Sequence, residues 1–572
     1  MTYPHPKLTA DQRDLVTPFV TNLDGPVFAL TNLPDTAKAA MFGRYSRYAG
    51  TLRELMADEF AELLEQAPAT QIARLQTSLR DLQGRSSGRY AGTRIDLGAS
   101  TVDALLAADA TAEDARTKAF MDRVVTQYGD DSVAQLGGAH LACEWVSNIM
   151  TKLLQRPRLG SYLEQSTRYI DFSAPVEFSD GDQRYRVYAD DTLPFDSQVA
   201  LGRLFEIYTD LLGQMTEWAK EKYPRRNDED VAPWERACKA KALDLVRGLL
   251  PAATLSHMGV YASGQTYEQI VLHLLAHPLP EAQRYGQMIL TELDKVIPSF
   301  LGRVHREDRG GVWVEYLQRR RDVGERWTRH LGVGSHRNDG EEPFSVQMTR
   351  ARGSIDEVRE ALLFESATVS GFEIDAAIND LDTTDAMRLA MDDAFFGERA
   401  DRRHRPGRGL EAMSFRFEIV SDYGAFRDLQ RHRMLTCQWQ APTADLGADV
   451  PPEVEEAGCG DEYRRALGIS ANAYADLRDA GHPGASLAVC LAYRMRYVLD
   501  LNAREAMQLC ELRSGAGGHA SYRSIAIEMA RQIEAACPEI GRAMTHIDTS
   551  GDERLGRLTS ELRLHARQRD AH

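Results

Sequence analysis

The sequence predicts a helix-rich α+β protein that is built twice on the same plan. Residues 27–51 and residues 344–369 each begin with a short apolar strand, pass through a turn and continue as a helix. Between 413 and 419, apolar and polar residues alternate with the period of two that is typical of a half-buried strand. A chain of 572 residues is also too long for one ordinary core, so more than one domain is expected.

Each copy later presents two arginines separated by one residue, at the end of an apolar segment. These are Arg-Pro-Arg at 156–158 and Arg-His-Arg at 431–433. A long apolar-rich stretch follows each pair and is predicted to be helical, around 243–275 in the first copy and around 487–512 in the second. The order of features is therefore the same in both halves.

The repeat divides the chain along its length. We expect a first domain at 1–318, a linker at 319–343 and a second domain at 344–572, because the linker segment is rich in charge and glycine and poor in apolar residues. The first copy is the longer one, and the polar stretch of about 62–100 is the expected insertion.

Composition limits the partners of the protein. The formal net charge of -17 opposes long-range attraction to nucleic acid polymers and to anionic membranes. No stretch approaches the roughly 18 apolar residues of a membrane helix, and the N-terminal residues contain no apolar signal segment. Seven cysteines without a C-x-x-C pair favour neither a disulfide framework nor a zinc site. We therefore expect a cytoplasmic protein.

Residues 155–172 of the first half carry a constellation of polar side chains. If the latter part of this segment is extended, Glu164, Ser166 and Arg168 project to one side. Such a surface suits a nucleotide, because a guanidinium binds phosphate in bidentate fashion while a carboxylate and a hydroxyl bind sugar or base edges. The alternative is a surface ion pair between Glu164 and Arg168.

The spacing of this segment resembles a known signature. Seven residues fall in register with the pattern R-H-R-x-x-S-x-N-E-x-S-x-R-Y of the flavin-dependent thymidylate synthases, namely Arg156, Arg158, Ser161, Glu164, Ser166, Arg168 and Tyr169. Pro157 and Leu163 depart from the pattern, where the family has histidine and asparagine. The resemblance implies two tandem flavin-dependent thymidylate synthase-like domains, each helix-rich with a mixed or antiparallel sheet.

Two further segments of the first half are similar to the same family. Ser132, which ends the segment Tyr-Gly-Asp-Asp-Ser, corresponds to a hydroxyl that the resemblance implies near the flavin. Arg247, in the segment Val-Arg-Gly-Leu-Leu-Pro, resembles the arginine of an A-R-x-x-L-P segment that contacts the nucleotide phosphate. The alternative for Arg247 is a surface arginine at the end of an apolar helix.

The second half matches the complementary parts of the family pattern. Its R-H-R triplet is intact, whereas the glutamate, serine and arginine that follow in the family are replaced by Trp439, Ala441 and Thr443. A C-terminal element, N-x-R-x-x-x-N-x-x-x-L-R followed by histidine and alanine, is matched by Asn502, Arg504, Gln508, Leu512, Arg513 and His519. A solvated helix face is the alternative explanation of these polar residues. Ser486 stands at the second-half position that corresponds to Arg247, so the losses in the two halves are complementary.

The resemblance implies a role for each matched residue. Cofactor binding is implied for Ser132, Arg431, His432, Arg433, Asn502, Arg504, Gln508 and His519. Substrate binding is implied for Arg156, Arg158, Ser161, Glu164, Ser166, Arg168, Tyr169, Arg247 and Arg513. The candidate catalytic residues are Ser166, Arg168 and Arg513, since arginines polarise the pyrimidine carbonyl as negative charge develops on the ring.

The reaction of the family is the expected function. A one-carbon unit passes from methylenetetrahydrofolate to carbon 5 of deoxyuridylate, with FAD as the cofactor, NADPH as the reductant and no protein cysteine as a nucleophile. Because active sites of this family are assembled from several subunits of a homotetramer, a chain with two fused copies implies a homodimer of four domains. No metal is expected.

Three other functions stay open. A non-catalytic relative would bind flavin or nucleotide without turnover. A related enzyme would act on another pyrimidine nucleotide, for example by hydroxymethylation, and Asp428, where some family members have glutamine, would favour the donor edge of cytosine. A metal-dependent nucleotide hydrolase has little support, because the sequence lacks H-E-x-x-H, a Walker loop and a closely spaced His/Asp cluster.

Overall fold

The structure is a computed structural model that describes residues 3–33, 35–66, 131–189, 192–227, 229–333, 342–380, 384–551 and 555. The expected insertion at about 62–100 lies largely outside these residues. In chain order, the helices are α1 (Ala10–Val16), α2 (Asp35–Tyr45), α3 (Leu52–Gln66), α4 (Asp131–Ala134), α5 (Asn148–Leu154), α6 (Phe195–Lys222), α7 (Val231–Val246), α8 (Gly264–Leu275), α9 (Pro280–Leu293), α10 (Pro298–Leu301), α11 (Val312–His330), α12 (Ile355–Phe364), α13 (Gly371–Ile378), α14 (Asp385–Asp392), α15 (Tyr423–Leu429), α16 (Pro452–Glu456), α17 (Gly460–Asp479), α18 (Ala503–Arg513), α19 (Ala520–Ala536) and α20 (Pro538–Ala543).

The strands, in the same order, are β1 (Val27–Ala29), β2 (Gly138–Ser147), β3 (Ser161–Glu164), β4 (Val176–Glu177), β5 (Gln183–Arg184), β6 (Leu255–Ser263), β7 (Ser345–Arg352), β8 (Ser414–Asp422), β9 (Leu435–Trp439) and β10 (Arg494–Asn502). Two strand-turn-helix units were predicted at 27–51 and 344–369. Both are confirmed, as β1 with α2 and as β7 with α12.

The chain forms two compact units whose segments interleave along the sequence. The first unit comprises Met1–Thr209, Pro251–Arg337 and Ala475–Ala488, and the second unit comprises Asp210–Leu250, Asn338–Tyr474 and Val489–His572. The expected division at 1–318, 319–343 and 344–572 follows the repeat, whereas each compact unit contains segments from both sides of the expected linker. Arg247 precedes the expected linker in the sequence but belongs to the second unit.

The first unit is organised around a four-stranded antiparallel sheet with the order β1-β2-β6-β3. The central strand β2 is buried at every residue after Gly138. Its register with β6 shifts between Cys143 and Val146, and Trp145 in this bulge adopts a positive φ of 56°. A bulge of this kind bends the strand and increases its twist. It leads directly into α5, which precedes the Arg-Pro-Arg segment.

The second unit contains a four-stranded antiparallel sheet with the order β7-β8-β10-β9. The alternation predicted at 413–419 is confirmed in β8, where Phe415, Phe417 and Ile419 are fully buried and the residues between them are half-buried. With an antiparallel sheet in each half and helices around it, the predicted α+β class with two tandem domains is confirmed.

The long helices predicted at 243–275 and 487–512 are wrong in part. Each stretch contains a strand, β6 or β10, that is followed by a shorter helix, α8 or α18. Along β10, Met495, Tyr497, Leu499 and Leu501 are buried and alternate with residues that are mostly half-buried. This is the period of a strand, but the high density of apolar residues in the stretch conceals it.

The expected linker at 319–343 is helical in its first half. Helix α11 continues to His330, and residues 334–341 lie outside the described part of the chain. The helix forms because residues 312–330 contain no proline and are rich in arginine, which is a good helix former. None of the helices in the described ranges is long and apolar enough to cross a membrane.

Candidate functional site

The second unit contains a cavity of about 420 Å³, a volume typical of small-molecule sites. Its walls include the 3-10 turn Arg247–Leu249, the end of β8 and the start of α19. The polar side chains that line it include Arg247, Asp422, Tyr463, His519 and Ser521. Two residues that were predicted from separate copies of the repeat, Arg247 and His519, therefore border one cavity.

Arg247 is buried in the turn that follows α7. Ala492 fixes this turn by donating its backbone N–H to the carbonyl oxygen of Gly248 at 2.9 Å. Arg247 Nη1 lies 3.8 Å from Asp428 Oδ2, and Asp428 Oδ1 lies 3.6 Å from Arg431 Nη1. Because Arg247 is only 3% exposed, the alternative of a surface arginine is excluded. A buried guanidinium at a cavity wall is suited to binding an anion.

Asp422 and Ser521 form a hydrogen-bonded pair at the cavity wall. Asp422 ends β8 and caps α15, since Oδ1 accepts the backbone N–H of Ala425 at 2.7 Å. The Ser521 hydroxyl donates to the other carboxylate oxygen. Burial raises the pKa of Asp422, while the charge of Arg247 and the two hydrogen bonds act in the opposite direction. The pair offers acceptor oxygens to the hydroxyl or amine donors of a ligand.

His432 is buried between two charged side chains. Its Nε2 accepts a hydrogen bond from Arg513 Nε at 3.0 Å, and its Nδ1 lies 2.8 Å from Glu505 Oε1. Because arginine can only donate, the ring proton must be on Nδ1, which donates to Glu505. Burial lowers the pKa of His432, and Glu505 opposes this shift. His432 thus positions Arg513, whose guanidinium carbon lies 5.6 Å from the ring centroid of Tyr522.

His519 is the N-cap of α19. Its Nδ1 accepts the backbone N–H of Ser521 at 3.3 Å, so Nε2 carries the proton and donates to the carbonyl oxygen of Asp244 at 3.3 Å. Both ring nitrogens are engaged within the second unit. The ring itself is half-buried and borders the cavity.

The Arg-His-Arg triplet alternates in exposure. Arg431 and Arg433 are exposed, whereas His432 is buried. The triplet lies in the turn after α15, where the N–H of His432 donates to the carbonyl oxygen of Leu429 at 3.1 Å, and both guanidinium groups are presented at the surface of the second unit. Guanidinium groups can bind the phosphates of a diphosphate in bidentate fashion.

Two predicted cofactor residues have structural partners in the second unit. Asn502 caps α18 by accepting the backbone N–H of Glu505 at 2.9 Å. Arg504 Nε donates to the carbonyl oxygen of Pro406 at 2.9 Å, and its Nη1 lies 3.5 Å from Glu411. Gln508 is half-buried on the same helix. Since most of α18 is buried, a solvated helix face does not describe this element.

The extended conformation predicted for the latter part of 155–172 is wrong beyond Glu164. Strand β3 ends at that residue, and the chain then turns. Ser166 organises the turn, because its hydroxyl accepts the backbone N–H of Arg168 at 3.2 Å and its carbonyl accepts that of Ile170 at 3.1 Å. Local serine-to-backbone bonds of this kind compete with strand structure, so the three side chains do not project from one strand face.

Glu164 is buried in the first unit rather than exposed on a surface. Its Oε2 accepts hydrogen bonds from Lys152 Nζ at 2.8 Å and from Gln155 Nε2 at 3.0 Å. The side chains of Glu164 and Lys152 are 0% and 3% exposed. The alternative of a solvent-exposed ion pair for Glu164 is therefore wrong, and its carboxylate has a partner that the local pattern did not reveal.

The other predicted residues of the first unit are more accessible. Arg156, Arg158, Ser161 and Tyr169 are exposed, and Ser166 and Arg168 are half-buried. The guanidinium of Arg47 lies 5.7 Å from the centroid of the Tyr169 ring. The backbone of Ser132 belongs to α4, but its side chain lies outside what the structure describes.

Four residues of the second-unit site were not singled out from the sequence: Asp422, Tyr463, Glu505 and Ser521. Asp422 carries a usable signal, since an aspartate between an alternating strand and a helix is typical of an N-cap. Tyr463 is buried in α17, which carries no motif. In the described ranges, no group of three His, Cys, Asp or Glu side chains is placed to hold a metal ion.

Comparison with known proteins finds the same repeat. A sequence model of the thymidylate synthase complementing protein family matches residues 89–299 and again residues 369–539. Both halves of the chain are thus recognised by one domain model.

Relatives that match this chain over almost their whole length are also found. A UPF0159 protein of Chlamydia pneumoniae is 32% identical and the match covers 97% of this chain and 98% of the relative. A UPF0159 protein of Chlamydia muridarum is 32% identical with the same coverage. A UPF0159 protein of Thermoplasma acidophilum is 28% identical over 78% of this chain and 92% of the relative.

A solved structure, the UMP/dUMP methylase PolB from Streptomyces cacaoi bound with 5-Br dUMP, is 18% identical, covers 36% of this chain and 96% of its own, and has a TM-score of 0.29. The family assignment rests on the two segments matched by the family and on the relatives above. The family match supports an enzyme of the methyltransferase type that acts at carbon 5 of a pyrimidine nucleotide. The chain belongs to the thymidylate synthase complementing protein family, which is the flavin-dependent thymidylate synthase family.

Proposed function

We propose that this protein converts dUMP to dTMP by transferring a one-carbon unit from methylenetetrahydrofolate to carbon 5 of the pyrimidine ring. NADPH is the proposed reductant, and FAD, when bound, supplies the hydride chemistry. The observation that carries the proposal is the cavity of the second unit, which both Arg247 and His519 line although they come from separate copies of the repeat.

The phosphate of the nucleotide is proposed to bind Arg247. A guanidinium that is shielded from water, as that of Arg247 is, attracts an anion more strongly than one in bulk water does. Arg247 is held near Asp428 at 3.8 Å, longer than a direct hydrogen bond, so an incoming phosphate can replace this carboxylate as its partner. Asp422 would then accept a hydrogen bond from a sugar hydroxyl.

The remaining residues of the second unit have distinct proposed roles. Arg513 is proposed to polarise the pyrimidine carbonyl as negative charge develops on the ring, and His432 holds its guanidinium in place. Arg431 and Arg433 are proposed to bind the diphosphate of FAD. The accessible residues of the first unit, Arg156, Arg158, Ser161, Ser166, Arg168 and Tyr169, stay proposed nucleotide contacts.

A homodimer is also proposed, because sites in this family are shared between subunits. Sedimentation velocity of the full chain measures its mass in solution. A dimer supports the proposal, and a monomer at micromolar concentration contradicts it.

Uracil is the proposed base rather than cytosine. The hypothesis of a cytosine ligand depends on an available carboxylate at Asp428. That carboxylate lies between Arg247 and Arg431, 3.8 Å and 3.6 Å away, so both of its oxygens face guanidinium groups. Direct comparison of dUMP and dCMP binding tests this choice, and tighter binding of dCMP would overturn it.

The function is tested with purified full-length protein and added FAD. The visible spectrum is recorded under anaerobic conditions before and after NADPH, with and without dUMP, and the product formed with methylenetetrahydrofolate is identified by mass. We expect flavin bands that bleach with NADPH and the mass of dTMP. Protein that takes up no FAD contradicts the proposal, as does bound FAD without any nucleotide product. The mass of hydroxymethyl-dUMP would instead indicate the related reaction.

A matched pair of variants connects this activity to the cavity. Arg247→Gln removes the proposed phosphate ligand, and Arg326→Gln changes an exposed arginine of α11. We expect Arg247→Gln to lower dTMP formation by about 100-fold or more, which corresponds to losing a charge-assisted hydrogen bond in a buried site. Arg326→Gln should retain wild-type activity. Equal rates in the two variants would mean that the cavity is not the phosphate site.

A further inference from the structure

One pair of positions is equivalent in the two units, yet the residue types at these positions are exchanged. Ser147 and Asp422 each end a central strand, cap the following helix and stand nine residues before the first arginine of their Arg-x-Arg pair. Glu281 and Ser521 are each the second residue of a later helix, α9 or α19. The first unit therefore pairs a serine with a glutamate, and the second unit pairs an aspartate with a serine.

In the first unit, this pair is closed. Glu281 accepts the backbone N–H of Ser147 at 2.7 Å and its hydroxyl at 2.6 Å. The hydroxyl also accepts the N–H of Met150 at 3.1 Å. Ser147 and Glu281 are both 0% exposed, and so are the neighbouring residues Ala252 and Ala253. The long glutamate side chain fills the position, and its carboxylate is satisfied by protein donors.

In the second unit, the same place is open. The carboxylate is on the strand side, at Asp422, and the helix side carries only the short Ser521. Leu491 and Ala492, which correspond to Ala252 and Ala253, line the 420 Å³ cavity together with Asp422 and Ser521. Arg247 also lines it, whereas the corresponding position of the first unit is Ser486. The second unit thus combines space with a cation, and the first unit lacks that cation.

We propose that each chain binds one nucleotide monophosphate, in the cavity of the second unit formed by Arg247, Asp422 and Ser521, and that Glu281 closes the equivalent place in the first unit. The phosphate meets Arg247, and a sugar hydroxyl donates to Asp422. A carboxylate at Glu281 would repel a phosphate in the first unit, where no arginine stands at position 486 to offset it. The identity of the nucleotide as a pyrimidine rests on the proposed function, but the number of sites does not.

The experiment is a calorimetric titration of the full chain, once with dUMP and once with inorganic phosphate. We expect saturation at one dUMP per chain. Two equal sites per chain would overturn the proposal, and so would no binding of either probe. One phosphate per chain, lost in Arg247→Gln, with no turnover of dUMP would leave the proposal standing and sink the proposed function. Two dUMP molecules bound per chain, together with formation of dTMP, would overturn this proposal and leave the proposed function standing.

Reciprocal double substitutions test whether the pair of Ser147 and Glu281 closes the first-unit position. Asp422→Ser with Ser521→Glu transfers the first-unit pair to the second unit, where a longer carboxylate on the helix side should repel the phosphate and weaken dUMP binding at least about tenfold. The melting temperature should change little, because the same pair already packs in the first unit. Ser147→Asp with Glu281→Ser is the matched control and should retain the wild-type affinity for dUMP at the second unit. Unchanged binding after the second-unit exchange would overturn the proposal, and if that variant does not fold, Arg247→Gln decides the location of the site.

Discussion

The imidazole of His432 accepts a 3.0 Å hydrogen bond at Nε2 from Arg513 Nε and donates from Nδ1 to Glu505 at 2.8 Å. The ring is therefore a fixed link between an arginine and a buried carboxylate. Substitution of His432 by phenylalanine keeps the ring but removes both hydrogen bonds. We expect it to lower the free energy of unfolding by about 2–3 kcal/mol, since Glu505 is left buried without its donor. Urea unfolding of the variant measures this loss.

A second substitution at this position separates the role of His432 in positioning Arg513 from its role in stabilising the fold. His432→Phe should also weaken dUMP binding, because Arg513 loses the acceptor that holds it in place. His432→Gln retains an acceptor for Arg513, so it should recover part of this affinity, while the contact to Glu505 stays broken. A double-mutant cycle with Glu505→Gln isolates the coupling, which we expect to be about 1 kcal/mol. If Gln and Phe at this position bind dUMP equally weakly, His432 does not act through Arg513.

The ion pair of Arg53 and Glu144 stabilises the first unit from inside. Arg53 Nη2 lies 2.7 Å from Glu144 Oε2, and both side chains are 0% exposed. Glu144→Gln leaves the guanidinium buried without its counter-charge, although Arg53 still donates to the carbonyl of Leu23 at 2.6 Å. We expect a loss of about 3–5 kcal/mol in unfolding free energy. The control, Glu462→Gln in the exposed pair with Arg465, should cost less than about 1 kcal/mol.

The sequence identifies candidate site residues, but it does not reveal how deeply they are buried or which side chains contact them. The family pattern located Arg247, but its burial depends on 210–250 grouping with segments that lie far along the chain. Likewise, the strand pattern around Glu164 could not reveal its partner Lys152, because that residue is on α5 and meets Glu164 only through the fold of the sheet. The alternation in β8 is clear because charged residues separate its apolar residues, whereas β10 alternates equally well but follows the continuous apolar run 487–493, which hides where the strand begins.

Acid should destabilise the first unit through His140. Burial lowers the pKa of His140 to about 4, and the charge of Lys38 acts in the same direction. The unfolded state binds the proton with a pKa of about 6.5, so it holds more protons than the native state between the two values. The stabilising contribution is therefore fully present above about pH 6.5 and is lost as the pH falls toward 4, by about 2 kcal/mol after discounting for solvent.

His140→Phe tests this dependence, because the ring lies between Phe42 at 6.0 Å and Tyr261 at 4.4 Å and tolerates an aromatic replacement. Unfolding free energies at pH 7 and pH 5 should differ less in this variant than in the wild type. His404→Phe, at an exposed position, is the control and should leave the difference unchanged. A pH dependence that is identical in all three proteins would show that another group titrates.

We expect Asp428 to lower the affinity of the proposed phosphate site by competing with the ligand. Its carboxylate lies 3.8 Å from Arg247 and 3.6 Å from Arg431, so a bound phosphate must displace a negative charge that both arginines attract.

Asp428→Gln introduces the residue type found in some family members and removes that charge. Because the ligand then no longer competes with a carboxylate, we expect dUMP to bind roughly fivefold to tenfold more tightly at low salt, and the gain should shrink as salt screens the charges. Titration of dUMP at two ionic strengths measures both effects, with Asp461→Gln, which removes an exposed carboxylate, as the control. Weaker binding by Asp428→Gln would mean instead that the carboxylate contacts the nucleotide directly, as a donor edge of the base or a sugar hydroxyl would require.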